Sequence, residues 1–250
     1  MRNRPEDKMR RKERKEERQE SIIEKWIPKT ELGKKVKAGE IKDIDQILNS
    51  GKKILESEIV DFLIPTLEYD LITIGQSKGK FGGGKRSIWK QTQKKTKEGN
   101  KPKFATVAVI GNKNGYVGLG YGKAKETVPA REKAIRNAKL NIIKIRRGCG
   151  SWACVCGETH SIPVKVSGKC GSTEINLIPA PKGTKLTIHK ELRKILNLAG
   201  VKDIYSKTKG KTNTELNLVK ACLDALKKLN SVKVTEEFIK KSGLREGKIE

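Results

Sequence analysis

Between residues 78 and 147 the chain carries 20 lysines and arginines against three acids, Glu98, Glu126 and Glu132. No other feature limits the possible folds and partners as strongly. Cations this dense repel one another within a Debye length of about 8–10 Å unless an anion screens them. The segment is therefore expected to fold against a polyanion. Its flanks are different: residues 1–77 hold 17 basic and 16 acidic side chains, and residues 148–250 hold 19 and 10. An anionic membrane is the weaker candidate. The chain has no run of about 18 apolar residues, Met1 to Glu20 lacks the apolar core of a leader, and no lipidation motif is present. Nucleic acid remains. Five cysteines without a secretory leader predict reduced thiols and a cytoplasmic protein.

Apolar residues make up 35% of the chain and charged residues 34%, so part of it should be extended or poor in core. Residues 1–20 alternate basic and acidic clusters with no apolar stripe. They predict either a solvated helix held by ion pairs or an arm that orders on its partner. From Trp26 to Ile54 sparse apolar residues among Gly33, Gly39 and Gly51 suggest a docking strap. Ser57 to Glu68 predicts a helix with Ser57 as its N-cap and Pro65 ending or kinking it. Beyond a Gly/Lys-rich stretch, 75–84, come a strand at 87–93 and a four-lysine turn over Lys94–Lys101 with a Gly-Asn tip. Phe104–Ile110 is the clearest strand, and Tyr116–Tyr121 is a second, glycine-interrupted one. A helix should start at Pro129 and run to Ile143, with Ile135, Ala138 and Ile142 on one face and Lys133, Arg136 and Lys139 roughly opposite. A short basic strand and link, 144–148, follows. The second half predicts strands at 161–167 and 173–179, a turn at 181–183, a helix from His189 to Leu198 stopped by Gly200, and a basic loop at 207–212. A last helix, Glu215–Leu229, carries Leu216, Val219, Cys222, Leu223, Leu226 and Leu229 as its stripe. The class is α+β.

Gly118-Leu-Gly120-Tyr-Gly122-Lys123 fails as a nucleotide-binding loop, because no Ser or Thr follows Lys123 and position 123 is not Gly. The glycines either let an RNA backbone approach the main chain, with Lys123 and Lys125 on phosphates, or serve a twisted strand end. Tyr116 and Tyr121 stack on bases or pack in a core. Cys149, Cys154, Cys156 and His160 offer three thiolates and an imidazole within twelve residues, a donor set that suits tetrahedral zinc. The alternative is unliganded thiols in a packed loop. Cys170 and Cys222 fit a core, and His189 fits a surface or capping position. With two histidines in the chain, no carboxylate pair in the basic zone and no intact phosphate loop, an enzyme is not expected.

The run Phe104-Ala-Thr-Val-Ala-Val-Ile-Gly-Asn-Lys-Asn-Gly-Tyr-Val-Gly-Leu-Gly-Tyr-Gly-Lys-Ala-Lys-Glu126 resembles the signature of the universal small-subunit ribosomal protein five family. Collinear matches follow at Ala138-Lys139, Gly168-Lys-Cys-Gly171, Ile178-Pro-Ala-Pro-Lys-Gly183, Leu198-Ala-Gly200 and Val219–Ala225. Trp26–Gly33 through Val36-Lys37 resembles the archaeal and eukaryotic branch, and Cys149–Cys156 looks archaeal. Asn100 stands where the family usually has a basic residue. The resemblance implies a double-stranded-RNA-binding-like domain (α-β-β-β-α) over 55–147, after a charged arm and strap over 1–54. It further implies a second α+β domain of βαβ-sandwich type over 148–230 and a tail over 231–250. Implied partners are small-subunit ribosomal RNA near the decoding region, messenger RNA at the entry channel, and ribosomal proteins of families four, three, two and eight. The RNA-contacting candidates are Lys94, Lys95, Thr96, Lys97, Lys101, Lys103, Asn112, Lys113, Asn114, Lys123, Lys125, Arg131, Arg146 and Arg147. The metal candidates are the Cys149, Cys154, Cys156 and His160 set.

Overall fold

A computed structural model describes residues 26–77, 79, 84, 86–154 and 156–247. The charged arm, 1–20, lies outside them. The chain divides into two compact units, Met1–Leu67 and Glu68–Glu250.

In the first unit the strap is not merely extended. It holds two short helices, α1 (Glu31–Lys37) and α2 (Ile44–Asn49), before α3 (Ser57–Leu63). Val36, Ile44, Ile47, Ile54, Ile59 and Val60 are buried. Glu56 gathers the segment: its carboxylate accepts from Trp26 Nε1 at 2.8 Å and from the amides of Lys29 and Thr30 at 2.9 and 2.6 Å. Burial opposes the charge on Glu56, but these donors outweigh it and hold the carboxyl below its ordinary range. Thr30 caps α1 through Gly33 N. The N-cap of α3 is Glu56, not Ser57, because the Glu56 backbone is extended while Ser57 is already helical and buried. The helix also ends at Leu63 rather than Glu68, since Pro65 lies just ahead.

The second unit is built on two antiparallel-rich sheets. The first holds β1 (Glu68–Ile72), β2 (Lys90–Thr96), β3 (Gly99–Gly111), β4 (Tyr116–Ala124) and β5 (Ile142–Lys144). β1 and β2 follow one another along the same edge of β3, and β4 and then β5 lie on the other side. β5 takes Ile142 and Ile143 from the expected end of a helix, and β1 begins at Glu68, the last residue of the other expected helix. Helix α4 (Thr127–Leu140) buries Ala130, Ala134 and Ala138, whereas Ile135 is only half-buried and Ile142 belongs to β5. Opposite those alanines stand the glycines of β4. A Cβ on Gly118, Gly120 or Gly122 would lie 2.3, 2.1 or 2.1 Å from the carbonyls of Ala138, Ala134 or Ala130. Helix α4 therefore fills the space in which an RNA backbone was expected, and the strand-end alternative holds. Tyr116 is buried, as a core residue, while Tyr121 is 42% exposed.

The second sheet runs β7 (Val166–Cys170), β8 (Thr173–Pro179), β10 (Ile204–Lys209), β9 (Leu186–Thr187). β9 and β10 are parallel, with helix α5 (Lys190–Ala199) between them in sequence, a βαβ unit. The first half of the expected basic loop at 207–212 is strand, with Lys207, Thr208 and Lys209 paired along β8. His189 caps α5 by accepting from Glu191 N, and Gly200 ends it at φ 84. Helix α6 (Glu215–Ser231) lies on β7 and β8, and the close approach seen at Gly120 recurs where Gly168 meets Ala221 and Ala225. One hydrophobic cluster joins both sheets, from Val107, Val109 and Val117 through Leu192 and Ile195 to Cys222 and Leu229. The expected tail holds helix α7 (Glu236–Ser242) and β11 (Arg245–Glu246), which pairs with β6 (Arg146–Arg147).

Candidate nucleic-acid interface and metal centre

The β2–β3 hairpin is tighter and longer than the sequence suggests. Lys94 faces Lys101, Lys95 faces Asn100 and Thr96 faces Gly99, so only Lys97 and Glu98 form the tip. Gly99, at φ 114, follows the tip rather than forming it. Directly opposed residues share a face and alternate residues return to it. Lys90, Lys94, Lys101 and Lys103 therefore lie on one face, and Lys95 lies on the other. Lys90 also faces Ala105, which faces Lys123 on β4. The lysine row thus crosses three strands, and Tyr121 stands two residues from Lys123 on the same face. Nearer β1 this face is apolar: Val107 and Val109 lie under α5 in the core. A single sheet face passes from core to exposed cations, with Lys101–Glu98 at 2.6 Å its one internal ion pair among the described residues. Five ammonium groups and an exposed ring along about three strands can neutralise a series of phosphates and stack on a base. Lys90 was absent from the candidates, because only the strand register reveals it as a neighbour of Lys123.

Other candidates are placed differently. Lys125 is exposed just past β4, and Arg131 is half-buried on α4. Asn112 Oδ1 accepts from the amides of Asn114 and Tyr116, closing the β3–β4 turn. Asn114 Oδ1 accepts from Arg147 at 2.8 Å. Lys113 is paired with Glu68 at 2.7 Å. Arg146 is bound to Glu246 and donates to Val232 O at 2.6 Å, while Arg147 is 3% exposed. Asn112, Asn114 and Arg146 are thus turned to internal partners rather than to an open RNA-binding face.

Cys149, Cys154, Cys156 and His160 converge: their ligand atoms all lie within 4.8 Å of one another, with Cys154 Sγ 3.9 Å from His160 Nε2. A tetrahedral zinc ion with bonds of about 2.3 Å to sulfur and 2.0 Å to nitrogen separates its ligands by roughly 3.6–3.8 Å, so the four need close only slightly. The imidazole is already oriented. His160 Nδ1 lies 2.9 Å from Asp203 Oδ2, both side chains are buried, and Nε2 is left toward the sulfurs. Asp203 is fixed in turn by Lys185 N at 2.7 Å, and its own amide donates to His160 O. A carboxylate behind a histidine in this way holds the tautomer a metal requires. The Lys182 amide and the neighbouring Cys156 bring the Cys154 thiol down to about 6, and burial pushes the Cys156 thiol up. Asp203, 43 positions from His160, gave no signal in the sequence. Cys222 is a buried core thiol, pushed up to about 12 by burial alone.

With this geometry in place, the comparisons with known proteins decide the family. The model of ribosomal protein S5, N-terminal domain, matches residues 88–146, and that of ribosomal protein S5, C-terminal domain, matches residues 168–241. The chain is 50% identical over 227 residues to small ribosomal subunit protein uS5 of Nanoarchaeum equitans, covering 91% of this chain and 97% of the relative. The chain belongs to the ribosomal protein S5 family. The uS5 proteins of Methanobrevibacter smithii and Methanocaldococcus jannaschii are 47% and 46% identical, over 89% and 91% of this chain and 98% of each relative. These relatives place the chain in the archaeal branch of uS5. The S5 N-terminal match covers the lysine face, and the C-terminal match covers the second sheet from residue 168 onward and α6. The cysteine loop lies between the two matches.

Proposed function

We propose that the chain is a structural constituent of the small ribosomal subunit and grips its ribosomal RNA with the lysine face of the first sheet. The observation that carries this reading is the lysine face that runs from Lys90, Lys94, Lys101 and Lys103 across Ala105 to Lys123, in a family whose members here are named as small-subunit proteins. Each lysine that meets a phosphate releases a condensed counterion, which gives affinity without base preference. The hairpin projects these charges on a ribbon narrow enough for an RNA groove or junction. The finer reading is a double-stranded-RNA-binding-like domain over 55–147 that sits near the decoding region. Together with a second domain over 148–230, it supports subunit assembly and accuracy and borders the messenger RNA entry channel. Neighbours are ribosomal proteins of families four, three, two and eight, on cytoplasmic ribosomes. The chain acts by binding, not catalysis.

The same reading assigns zinc to Cys149, Cys154, Cys156 and His160, as a cross-link that fixes the loop between the two matched domains. Thiolate and imidazole donors suit this ion and disfavour magnesium or calcium.

Sedimentation of the endogenous protein at moderate salt tests the assignment. Co-migration with small subunits is expected; a protein that stays at the top of the gradient is a free RNA-binding factor, and the assignment fails.

A further inference from the structure

Arg147 is a buried arginine that the lysine face does not explain. Its side chain is 3% exposed, yet no carboxylate pairs with it among the described residues. One terminal nitrogen donates to Asn114 Oδ1 at 2.8 Å and Gly247 O at 3.1 Å, and Nε has no partner. A guanidinium stays charged at any physiological pH, and burying it without an anion is unfavourable. It borders a cavity of about 440 Å³ whose other charged walls are Lys113, Lys202, Arg245 and Glu158. Glu158 is drawn to Lys182 at 2.8 Å and Lys113 to Glu68 at 2.7 Å. Lys202 and Arg245 are exposed and form no ion pair among the described residues. The cavity therefore has a buried arginine with an enclosed, unpartnered Nε in its wall and two exposed cations at its rim, against one carboxylate, Glu158, which Lys182 holds.

Planar guanidinium donors next to ammonium groups match a tetrahedral oxyanion better than any neutral ligand. We propose that this cavity seats one phosphate group, with Arg147 in its wall and Lys202 and Arg245 at its rim, and that the phosphate belongs to the backbone of the bound RNA. Only the source of the phosphate rests on the RNA-binding reading. The seat is separate from the lysine face, since none of its cations is on β2 or β3 between residues 90 and 103. It also gives Arg147 a role in RNA contact that its burial otherwise denies it.

The test uses the full-length protein, titrated with inorganic phosphate at constant ionic strength while the arginine Nε–H resonances are followed by nitrogen-15 NMR. The expected result is a saturable shift of the Arg147 resonance, weakened about tenfold or more in K202Q/R245Q, as loss of charge-assisted bonds implies. That variant changes two exposed side chains and leaves Arg147 and the core intact. A shift that never saturates, that chloride reproduces at equal ionic strength, or that the variant leaves unchanged overturns the seat. Added small-subunit ribosomal RNA should abolish the phosphate response. If the response persists with RNA bound, the site takes a free anion and its assignment to the backbone is wrong. RNA affinity measured on the same samples separates the two claims. Intact RNA binding without a phosphate response sinks the seat alone, and a phosphate response without RNA binding sinks the RNA-binding reading and the source of the phosphate but leaves the seat.

Discussion

Gly120 illustrates how a single residue can be legible in kind and illegible in purpose. The alternation of glycines at 118, 120 and 122 shows in the sequence that something must come close to β4, but not whether it is RNA or protein. The structure puts α4 there: a Cβ on Gly120 would lie 2.1 Å from Ala134 O and 2.2 Å from Ala138 N. G120A should cost about 3 kcal/mol, the upper end for overpacking against backbone, and lower Tm by roughly 6–12 °C, with the salt dependence of RNA binding by the folded protein unchanged. An unchanged Tm with weakened RNA binding would return the glycines to the RNA. Glu191 is a second residue whose role appears only in three dimensions. It is buried at the start of α5, accepts from Thr73 N at 3.0 Å and pairs with Lys194 at 3.4 Å. Burial opposes its charge, but the Thr73 bonds and Lys194 prevail, leaving the carboxyl below its ordinary range. A depressed carboxyl stabilises the fold above its unfolded pKa of about 4.3 and loses that contribution as pH falls through the folded value. Urea unfolding of E191Q should show a deficit of about 1–3 kcal/mol at pH 7 that shrinks steadily below pH 4. A deficit independent of pH would mean that packing, not charge, accounts for it.

Among elements, those with strong internal periodicity were readable: β3, β8, α5 and α6 fall within a few residues of their expected positions, because alternation or a leucine stripe is written into each. The short strands β1, β5 and β11 were not, since two to five residues carry no period and their partners come from far along the chain; β6 fell within the basic strand and link expected at 144–148. Arg146 and Glu246, for example, pair across 100 positions. The hairpin lysines were legible as a cluster, but which face each takes follows from register, which placed Lys90 in the row and Lys95 opposite. The cysteine loop shows the same division. Its four ligands are close in sequence and could be named, whereas Asp203 could not. Purified protein should contain close to one zinc per chain by elemental analysis. D203N should weaken zinc binding by about 10–100-fold, as loss of an outer carboxylate does elsewhere, measured by competition with a chromogenic chelator. Protein without zinc would leave these residues as packed thiols, and D203N with undiminished affinity would remove Asp203 from the site.

At the scale of the molecule, the α+β class and the cationic middle were legible because composition and pattern both state them. The shared core was not. Val107 and Val117 meet Leu192 and Ile195 in one cluster although expected boundaries separate them, and no local pattern announces a contact between two sheets. This core holds one half of a sheet face rigid while the other half, outside it, presents the lysines. RNA binding should therefore depend on specific cations and not on net charge. The most direct measurement is the slope of log binding constant against log salt for small-subunit ribosomal RNA. It compares the wild type with a variant in which Lys90, Lys94, Lys101 and Lys103 are glutamine, and with a control that removes four lysines from α6 and α7 (Lys220, Lys227, Lys240 and Lys241). The lysine face predicts a slope shallower by about 3, at 0.7–0.9 per lost phosphate contact, with the control near wild type. Equal slopes for the two variants would contradict it.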